Sequence, residues 1–308
     1  MRIAVLDLGT NTFNLLIADI LPNGSIRKVF NEKLAPKLGL GGINNQIIVP
    51  EAFERGLHSL EIQKQIILTY KPDNVFIFGT SALRNAKNAD DFVSTVRNEL
   101  DLEIHIITGE REAELIYHGN KLAFDWGENI VLIVDIGGGS IEFILADNKH
   151  IVWKQSFEIG VSRLLQMFNP KSPFTKEDVT RIEAYVDSKL KPLYEAFTKY
   201  PATLLIGSSG AFDTYRDMIV AENVLIKTDL PSFVINYETF EPLKNKIINL
   251  SQQELVKVEG MDAMRVDMIG IAAIFVDFIM RKLSLHTIIQ SNYSLKEGVI
   301  DSIIRNDL

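Results

Sequence analysis

Two acidic residues lie on either side of a glycine-rich turn near the middle of the chain. Asp135 follows a short apolar run that is typical of a buried strand, and Glu142 lies within a second apolar run after the turn. The turn consists of Gly137, Gly138, Gly139 and Ser140. Glycines leave backbone N–H groups free to face an anion, and carboxylates suit a hard cation such as Mg²⁺. The pattern predicts a phosphate and metal site, and a plain hairpin with two solvated acids is the alternative.

A related pattern opens the chain. When Ala4–Ile20 is aligned with Leu132–Asn148, Asp7 falls on Asp135 and the apolar positions coincide. The turn after Asp7 carries three side chains that can form hydrogen bonds, namely Thr10, Asn11 and Thr12. A repeat this long is not the period of a solenoid. We therefore expect two related lobes, each of which presents one turn with a carboxylate and hydroxyl groups to a shared cleft.

Arg84 is a candidate ligand for phosphate. The apolar run Asn74–Phe78 predicts a strand, and Thr80 and Ser81 after it are favourable helix N-caps whose following N–H groups would point toward the ligand edge of the sheet. Arg84 lies one turn into that helix, where its guanidinium would be placed to bind phosphate through two nitrogens. A solvated surface arginine is the alternative interpretation.

A second strand-to-helix junction carries only small residues. The apolar run Thr203–Ile206 predicts a strand, and the residues that follow it are Gly207, Ser208, Ser209 and Gly210. A turn of glycine and serine at such a junction is a candidate phosphate or nucleotide loop. The motif is short, and a purely structural turn is the alternative.

Acidic residues crowd the start of another predicted helix, which follows Thr108 and ends near Phe124. Its first residues include three glutamates, Glu110, Glu112 and Glu114. Acidic side chains are favoured at the positive end of a helix dipole, which is enough to explain two of the three. The sequence pattern by itself leaves a chemical role open for the third.

The domain boundary is expected where Asp125, Trp126 and Gly127 interrupt that helix. The N-terminal lobe would span residues 1–125 and be completed by the closing helix within 292–308, and the C-terminal lobe would span 126–291. Within the second lobe, apolar spacing over Ala263–Lys282 predicts a helix with one buried face.

The bulk composition limits the classes of function. The chain has 308 residues, of which 46% are hydrophobic and 23% charged, so two domains with ample cores are expected. The net charge of −8 argues against general binding to nucleic acid or to anionic membranes. The absence of cysteine excludes disulfide and thiolate chemistry and fits a cytoplasmic location. No apolar segment has the length or pattern expected for a signal peptide or a membrane span.

Seven motifs together carry a family resemblance. They are DLGTNTFNLLI, TSALRNAKN, TGEREAELI, DIGGGSIEF, GVSRL, GSSGA and SNYSLKEG. In this order they resemble those of the exopolyphosphatase / guanosine pentaphosphate phosphohydrolase (Ppx/GppA) family over almost the whole chain, which looks like its short form without a C-terminal helical domain. The resemblance implies an α/β fold of two ribonuclease-H-like lobes, as in the actin/Hsp70/sugar-kinase superfamily, around an interlobe cleft.

The same resemblance implies roles for individual residues. Glu112 matches the family's catalytic base and Arg84 its phosphate-binding arginine. The acids expected around a Mg²⁺ or Mn²⁺ ion are Asp135 and Glu142, with Asp7 as a third candidate and Glu112 nearby. The residues expected to bind phosphate are Thr10, Asn11, Thr12, Gly137, Gly138, Gly139, Ser140, Gly207, Ser208, Ser209, Gly210 and Arg265.

Five positions depart from the family pattern. They are Ile141 for threonine or serine, Glu114 for arginine, Ala211 for threonine, Met264 for glutamate and Lys296 for arginine. Lysine keeps the charge of arginine without its bidentate geometry. Because the base, the metal acids and Arg84 are all present, the departures bear on substrate preference more than on chemistry.

The resemblance implies a metal-dependent phosphohydrolase that releases the terminal phosphate of inorganic polyphosphate or of guanosine pentaphosphate. Two alternatives stay open. One is a kinase of the same superfamily, and the other is a non-catalytic sensor of polyphosphate or guanosine tetraphosphate, which the five departures leave in play. We expect a cytoplasmic protein that binds neither nucleic acid nor membrane, with a homodimer as an open expectation.

Overall fold

The first of two mixed β-sheets is built from the N-terminal part of the chain. The computed structural model describes residues 1–222 and 230–307. The strands of this sheet are β1 (Arg2–Leu8), β2 (Phe13–Ile20), β3 (Ile26–Leu34), β4 (Asn74–Gly79) and β5 (His105–Ile106), in the spatial order β3-β2-β1-β4-β5. The first three strands pair antiparallel, whereas β4 lies parallel to β1 and β5 parallel to β4.

The second sheet repeats this topology. Its strands are β6 (Val131–Ile136), β7 (Ile141–Ala146), β8 (Ile151–Phe157), β9 (Leu205–Ser208), β10 (Ser232–Asn236) and β11 (Thr287–Ser291), in the order β10-β11-β9-β6-β7-β8. Read from the β8 edge, the first five strands have the order and directions of the first sheet, and β10 adds an antiparallel edge. The predicted fold class, two ribonuclease-H-like α/β lobes, is thereby confirmed.

Helices cover both faces of each sheet. Those before the second sheet are α1 (Pro50–Tyr70), α2 (Ser81–Asn85), α3 (Ala89–Leu100) and α4 (Gly109–Ala123). Those after β8 are α5 (Val161–Phe168), α6 (Lys176–Lys189), α7 (Lys191–Lys199), α8 (Gly210–Glu222), α9 (Tyr237–Asn249), α10 (Gln252–Leu255), α11 (Ile269–Leu283) and α12 (Leu295–Arg305). Over the described ranges, no helix combines the length and apolarity needed to cross a membrane.

The helix predicted over Ala263–Lys282 is wrong at its start, because α11 begins at Ile269. The Asp262 carboxylate accepts the Met264 N–H at 2.9 Å and an Arg265 guanidinium N–H at 2.6 Å. An aspartate that binds the backbone two residues ahead forms a local turn that competes with helix. Arg265 therefore lies in a connecting segment rather than on a helix.

A central layer formed by α4 and α12 lies between the two sheets. Alternate residues of β1 point to opposite sides: Leu6 packs with α1 and α3, whereas Val5 joins a core that contains α4 and α12. The same core takes Ile133 from β6 of the other sheet. Because α12 packs on α4 and β1, the end of the chain lies with the first lobe and against the second. The exact domain boundary at 125/126 stays a prediction.

Two glycines allow α4 and α12 to cross at close range. A Cβ atom on Gly119 would overlap the Ser294 carbonyl, and one on Gly298 would overlap the Leu115 carbonyl. Backbone atoms cannot rotate away as a side chain does, so either methyl group would push the helices apart.

Gly298→Ala should therefore destabilise the protein. Overpacking of a tight contact costs about 1–3 kcal/mol, which exceeds the helix-propensity gain of about 1 kcal/mol from alanine. Chemical denaturation measures the free energy of unfolding. Ser302→Ala on the same helix is the matched control. The buried Ser302 hydroxyl has no hydrogen-bond partner within the described part of the chain, so its loss should be neutral or stabilising. Equal stability of Gly298→Ala and wild type would contradict the close crossing.

Candidate active site

The two predicted turns adopt the same hydrogen-bonded geometry. In the first, the Gly9 N–H donates to the Thr12 carbonyl at 3.0 Å, and in the second the Gly137 N–H donates to the Ser140 carbonyl at 3.0 Å. Each turn follows the central strand of its sheet, β1 or β6. The internal repeat of the sequence therefore corresponds to a structural repeat.

The turns face each other where the lobes meet. The Ser162 hydroxyl donates to the Asn11 side-chain oxygen at 2.8 Å. A Cβ atom on Gly138 would overlap the Asn11 amide, and one on Gly139 would lie 2.5 Å from the Thr10 hydroxyl. Glycine is needed at both positions because side chains of the other lobe occupy the space that a Cβ would need.

A cleft of about 200 Å³ lies between the two turns. The predicted site residues that line it are Asp7, Thr10, Asn11, Thr12, Glu112, Asp135, Gly137, Gly138, Gly139, Ser140, Ser209, Gly210 and Arg265. Four predicted residues do not line it: Arg84, Glu142, Gly207 and Ser208. The structure thus brings most of the predicted set to one cavity, drawn from both lobes.

Arg84 connects the base predicted by the resemblance to the second turn. Its Nη1 donates to Glu112 at 2.9 Å and to the Ile107 carbonyl at 3.1 Å. Its Nη2 makes only longer contacts, 3.4 Å to the Ser140 hydroxyl and 3.3 Å to Glu158. One nitrogen of the guanidinium therefore positions Glu112, and the other faces the glycine turn with room for a better acceptor.

Three buried carboxylates, Glu112, Asp135 and Glu142, and the half-buried Asp7 lie around the cleft. Burial and then the Asp135 charge raise the pKa of Asp7 to about 6, although Lys296 opposes this. Burial also raises the pKa of Asp135, while the Ser294 hydroxyl, 2.6 Å away, favours its charged form. The pKa values of Glu142 and Glu112 are likewise raised by burial, and then by Asp135 and by Glu142 respectively. The acids are close enough to repel one another, so added positive charge would favour their ionised forms.

Arg163 and Glu158 form an interlobe connection that the sequence pattern did not reveal. Arg163 is 8% exposed, and its guanidinium donates to the Gly139 carbonyl at 2.7 Å and to the Ile43 carbonyl at 2.8 Å. It also donates to Glu158 at 2.8 Å, and Glu158 accepts the Ser81 hydroxyl at 2.7 Å. The glycine turn of the second lobe is thereby tied to two segments of the first.

Only part of the predicted loop Gly207–Gly210 faces the cleft: Ser209 and Gly210 line it, whereas Gly207 and Ser208 do not. Gly207 packs against the Phe212 ring, and the Ser208 hydroxyl donates to the Tyr293 carbonyl at 3.2 Å. The Ser209 hydroxyl donates to the Ile136 carbonyl at 3.1 Å. Gly210 leaves space for the Arg265 guanidinium, with which a Cβ would overlap. Phosphate binding by these residues stays a prediction, and the serine hydroxyls are already used as donors within the fold.

Comparison with known proteins bears directly on this geometry. The sequence pattern of the Ppx/GppA phosphatase family matches residues 16–307. The chain belongs to this family. A Haemophilus influenzae protein provisionally named an exopolyphosphatase is 28% identical over 305 residues, which cover 99% of this chain and 92% of that protein.

Solved structures of similar proteins share the whole fold. A crystal structure of an exopolyphosphatase from Cytophaga hutchinsonii matches with a TM-score of 0.96 at 35% identity, covering 99% of this chain and 98% of that one. A Ppx/GppA family member from Aquifex aeolicus matches with a TM-score of 0.82 at 23% identity, covering 100% and 98%. The two-lobed arrangement is therefore the fold of this phosphatase family.

The donor set of this Ppx/GppA cleft suits a hard divalent cation. Within residues 1–222 and 230–307, no three acidic, histidine or cysteine side chains converge on one point. Mg²⁺ does not need such a cage, since it is commonly held by one or two carboxylates together with water and substrate phosphate. Asp7 and Asp135 line the cleft, whereas Glu142 is 1% exposed and accepts the Ser156 hydroxyl at 2.6 Å. The mutual repulsion of these acids is an independent reason why a cation fits.

The five departures from the family pattern fall in two environments. Ile141 is fully buried in β7, and Glu114 forms ion pairs with Arg111 and Lys154 outside the cleft. Ala211, Met264 and Lys296 line the cleft. Among the five, these last three are therefore the positions where a ligand in the cleft would meet a changed side chain.

Several residues that hold the site together were not singled out from sequence. They are Ser156, Glu158, Arg163 and Ser294, each of which bonds a predicted site residue or a neighbour of one. Their partners are far away in the chain, so no local spacing marks them. The internal repeat offers one indirect signal. In each lobe the strand that follows the hairpin pairs with it, so some of its side chains must lie beside the acidic residues of the hairpin.

Arg163→Met should weaken both the fold and the site, because the buried Gly139 and Ile43 carbonyls lose the guanidinium that donates to them. Removing the donor of a buried polar group costs about 1–3 kcal/mol. Chemical denaturation should show that loss, and phosphate release should fall with it. Arg181→Met, at an exposed arginine of α6, is the matched control and should behave as wild type. A free energy of unfolding like that of wild type would contradict the role assigned to Arg163.

Proposed function

We propose that this protein is a metal-dependent hydrolase that releases the terminal phosphate of inorganic polyphosphate. The observation that carries the proposal is the position of Arg84, which holds Glu112 with one guanidinium nitrogen and faces the glycine turn with the other. The residue proposed as base and the residue proposed to bind phosphate would thereby be held side by side at the edge of an interlobe cleft. The family membership and the names of the two exopolyphosphatase relatives support the same reaction.

The terminal phosphate would lie between the two turns. Backbone N–H groups of Gly138 and Gly139 and the hydroxyls of Thr10 and Ser140 are the donors that the cleft offers to its oxygens. Arg84 would exchange its long contacts to Ser140 and Glu158 for a charge-assisted bond to phosphate. Its bond to Glu112 need not break, because a different nitrogen makes it.

Glu112 would act as the general base. Its burial and the nearby Glu142 raise its pKa, and a carboxylate with a raised pKa accepts a proton more readily. It would take a proton from a water molecule whose oxygen attacks the terminal phosphorus. The bond to the bridging oxygen breaks, and the shortened chain leaves with that electron pair. In such loose transition states, positioning and charge neutralisation supply most of the catalysis.

Asp7 and Asp135, with Glu142 behind them, would hold a Mg²⁺ or Mn²⁺ ion. When bound, the ion supplies neutralising charge for the phosphate oxygens and for the buried acids. This is important in a protein of net charge −8, which would otherwise repel a polyanion. The Asp135 carboxylate is oriented by the Ser294 hydroxyl, so the protein supplies the supporting bonds for such a ligand.

Guanosine pentaphosphate is a second candidate substrate. An apolar wall beside the polar groups, formed by Ala211, Met264, Met268 and Ala272, offers a surface for a nucleoside. Polyphosphate remains the first choice because the names of both relatives refer to exopolyphosphatase activity, provisionally for the Haemophilus influenzae protein. Side-by-side assays of phosphate release from the two substrates decide between them. A cytoplasmic location, where both substrates would be available, fits the cysteine-free sequence.

Glu112→Gln keeps the shape of the side chain and its bond to Arg84 but cannot accept a proton at neutral pH. Turnover on polyphosphate should fall by roughly 10²–10⁴-fold, while KM changes little. Phosphate release under saturating substrate measures this. Glu110→Gln, at an exposed position of the same helix turn, is the control and should leave turnover unchanged. Turnover of Glu112→Gln near that of wild type would assign the base role elsewhere.

Removal of divalent cations should abolish phosphate release. A chelator should stop the reaction, and Mg²⁺ or Mn²⁺ should restore it, because the cation neutralises charge in the transition state. Asp135→Asn should lower the rate by roughly 100-fold or more, whereas Asp91→Asn on the exposed side of α3 should not. Release that persists in chelator would contradict metal dependence. Binding without release under any metal would favour the sensor alternative and overturn the hydrolase proposal.

A further inference from the structure

The strand pairing places three residues in a row across the first sheet. Asp7 of β1 is paired with Asn14 of β2, and Asn14 is paired with Lys33 of β3. Side chains at paired positions of neighbouring antiparallel strands project to the same side of the sheet. All three line the cleft, and the Asn14 amide donates to Asp7 at 3.2 Å. The row therefore leads from the proposed metal ligand Asp7 to a lysine.

The second sheet contains the equivalent row, with a different end. Asp135 is paired with Glu142, and Glu142 with Ser156, at the positions that correspond to Asp7, Asn14 and Lys33. Ser156 is used inside the protein, where it donates to Glu142 at 2.6 Å. Lys33 is not used in this way. In the described part of the chain its ammonium donates no hydrogen bond and has no carboxylate within 4.0 Å.

Lys296 joins Lys33 at this end of the cleft. It lies in the first turn of α12, lines the cleft, and likewise has no ion pair or side-chain hydrogen bond among the described residues. Arg265 lines the same cleft as Lys33 and Lys296, so three cationic groups share this site. Burial, and then the charges of Arg265 and Lys296, lower the pKa of Lys33. An anion at this position would relieve their mutual repulsion.

Neighbouring groups hold Arg265 in place, whereas the two lysines are available to bind a ligand. Arg265 is held by Asp262 at 2.6 Å and lies against Gly210. Asp213 also lines the cleft, but its carboxylate accepts the Gln290 amide at 2.9 Å and is not within ion-pair distance of either lysine in the described structure. The cationic end thus contains one braced arginine and two lysines that have no ion-pair partner among residues 1–222 and 230–307.

Lys33 and Arg84 lie on opposite sides of Asp7. In the strand order β3-β2-β1-β4, Lys33 is on β3 and Asp7 is on the central strand β1. Arg84 is in α2, which directly follows β4 on the other side of β1. A linear phosphate chain whose terminal group is at Arg84 would extend past Asp7 toward the lysines.

We propose that Lys33 and Lys296, beside Arg265, form a second anion subsite that binds the internal phosphate groups of a linear phosphoanhydride. This inference rests on the proposed function for the direction of the chain. It predicts that the protein distinguishes substrates by length: a chain that reaches the lysines binds tightly, and one confined to the turns and Arg84 does not.

The test compares Lys33→Met and Lys296→Met with wild type, using medium-length inorganic polyphosphate and pyrophosphate as the two ligands. Calorimetry in the Glu112→Gln background measures binding, with Mg²⁺ present throughout. Each substitution should weaken polyphosphate binding about 10-fold or more and lower its salt dependence, while pyrophosphate binding changes little. Lys33→Arg keeps the charge and should retain tight binding. Lys176→Met, at an exposed lysine of α6, is the control.

The outcomes separate this inference from the proposed function. Unchanged polyphosphate binding in both methionine variants, or an equal loss for pyrophosphate, overturns the second subsite. Failure of wild type to bind polyphosphate overturns it as well. Lysine-dependent, length-dependent binding by a protein that releases no phosphate supports the subsite and overturns the hydrolase proposal. Thermal unfolding of each variant establishes that the comparison is made on folded protein.

Discussion

Burial of acidic side chains between two sheets is the constraint on which this structure depends. Glu112, Asp135 and Glu142 are each less than a tenth exposed, and isolated buried carboxylates are strongly unfavourable as anions. Hydrogen bonds offset part of this cost. The Ser156 hydroxyl donates to Glu142, the Ser294 hydroxyl to Asp135, and the Arg84 guanidinium to Glu112. These bonds reduce the penalty without removing it, since the pKa values of all three remain raised. A bound cation would therefore stabilise the ionised forms of these closely spaced acids.

Although the two lobes repeat the same topology, they carry different side chains at equivalent positions. Both lobes offer the same turn after the same central strand, yet the row across β1, β2 and β3 ends in Lys33, whereas the row across β6, β7 and β8 contains Glu142 and ends in Ser156. A shared backbone fixes where side chains project, and the residue types at those positions decide what each lobe contributes. One lobe can thereby bring acid to the reacting end of a substrate, while the other brings cationic charge to its remainder.

Local patterns were enough to predict the turns and the strands around them, because glycine, β-branched runs and cap residues act over a few positions. They also placed Asp7 and Asp135 at one cleft once two lobes were assumed, whereas the role of Glu112 was implied only by the family resemblance. The start of α11 was misplaced because a side-chain bond from Asp262 redirects the backbone. Glu158 and Arg163 could not be found in this way. Their partners, Ser81, Ile43 and Gly139, come from distant segments that only the folded chain brings together.

The central helix pair connects the proposed base to the proposed metal ligands. Glu112 lies in the first turn of α4, and Ser294, the residue before α12, donates to Asp135 of the other lobe. The two helices touch backbone to backbone at Gly119 and Gly298, so neither can slide past the other without separation. A shift of the second lobe that moves Asp135 would therefore act on α12 through Ser294 and on α4 through the glycine contacts. Because α4 and α12 pack closely, the distance between Glu112 and the acids of the second lobe depends on how the two lobes are arranged. It does not depend on the conformation of any single loop.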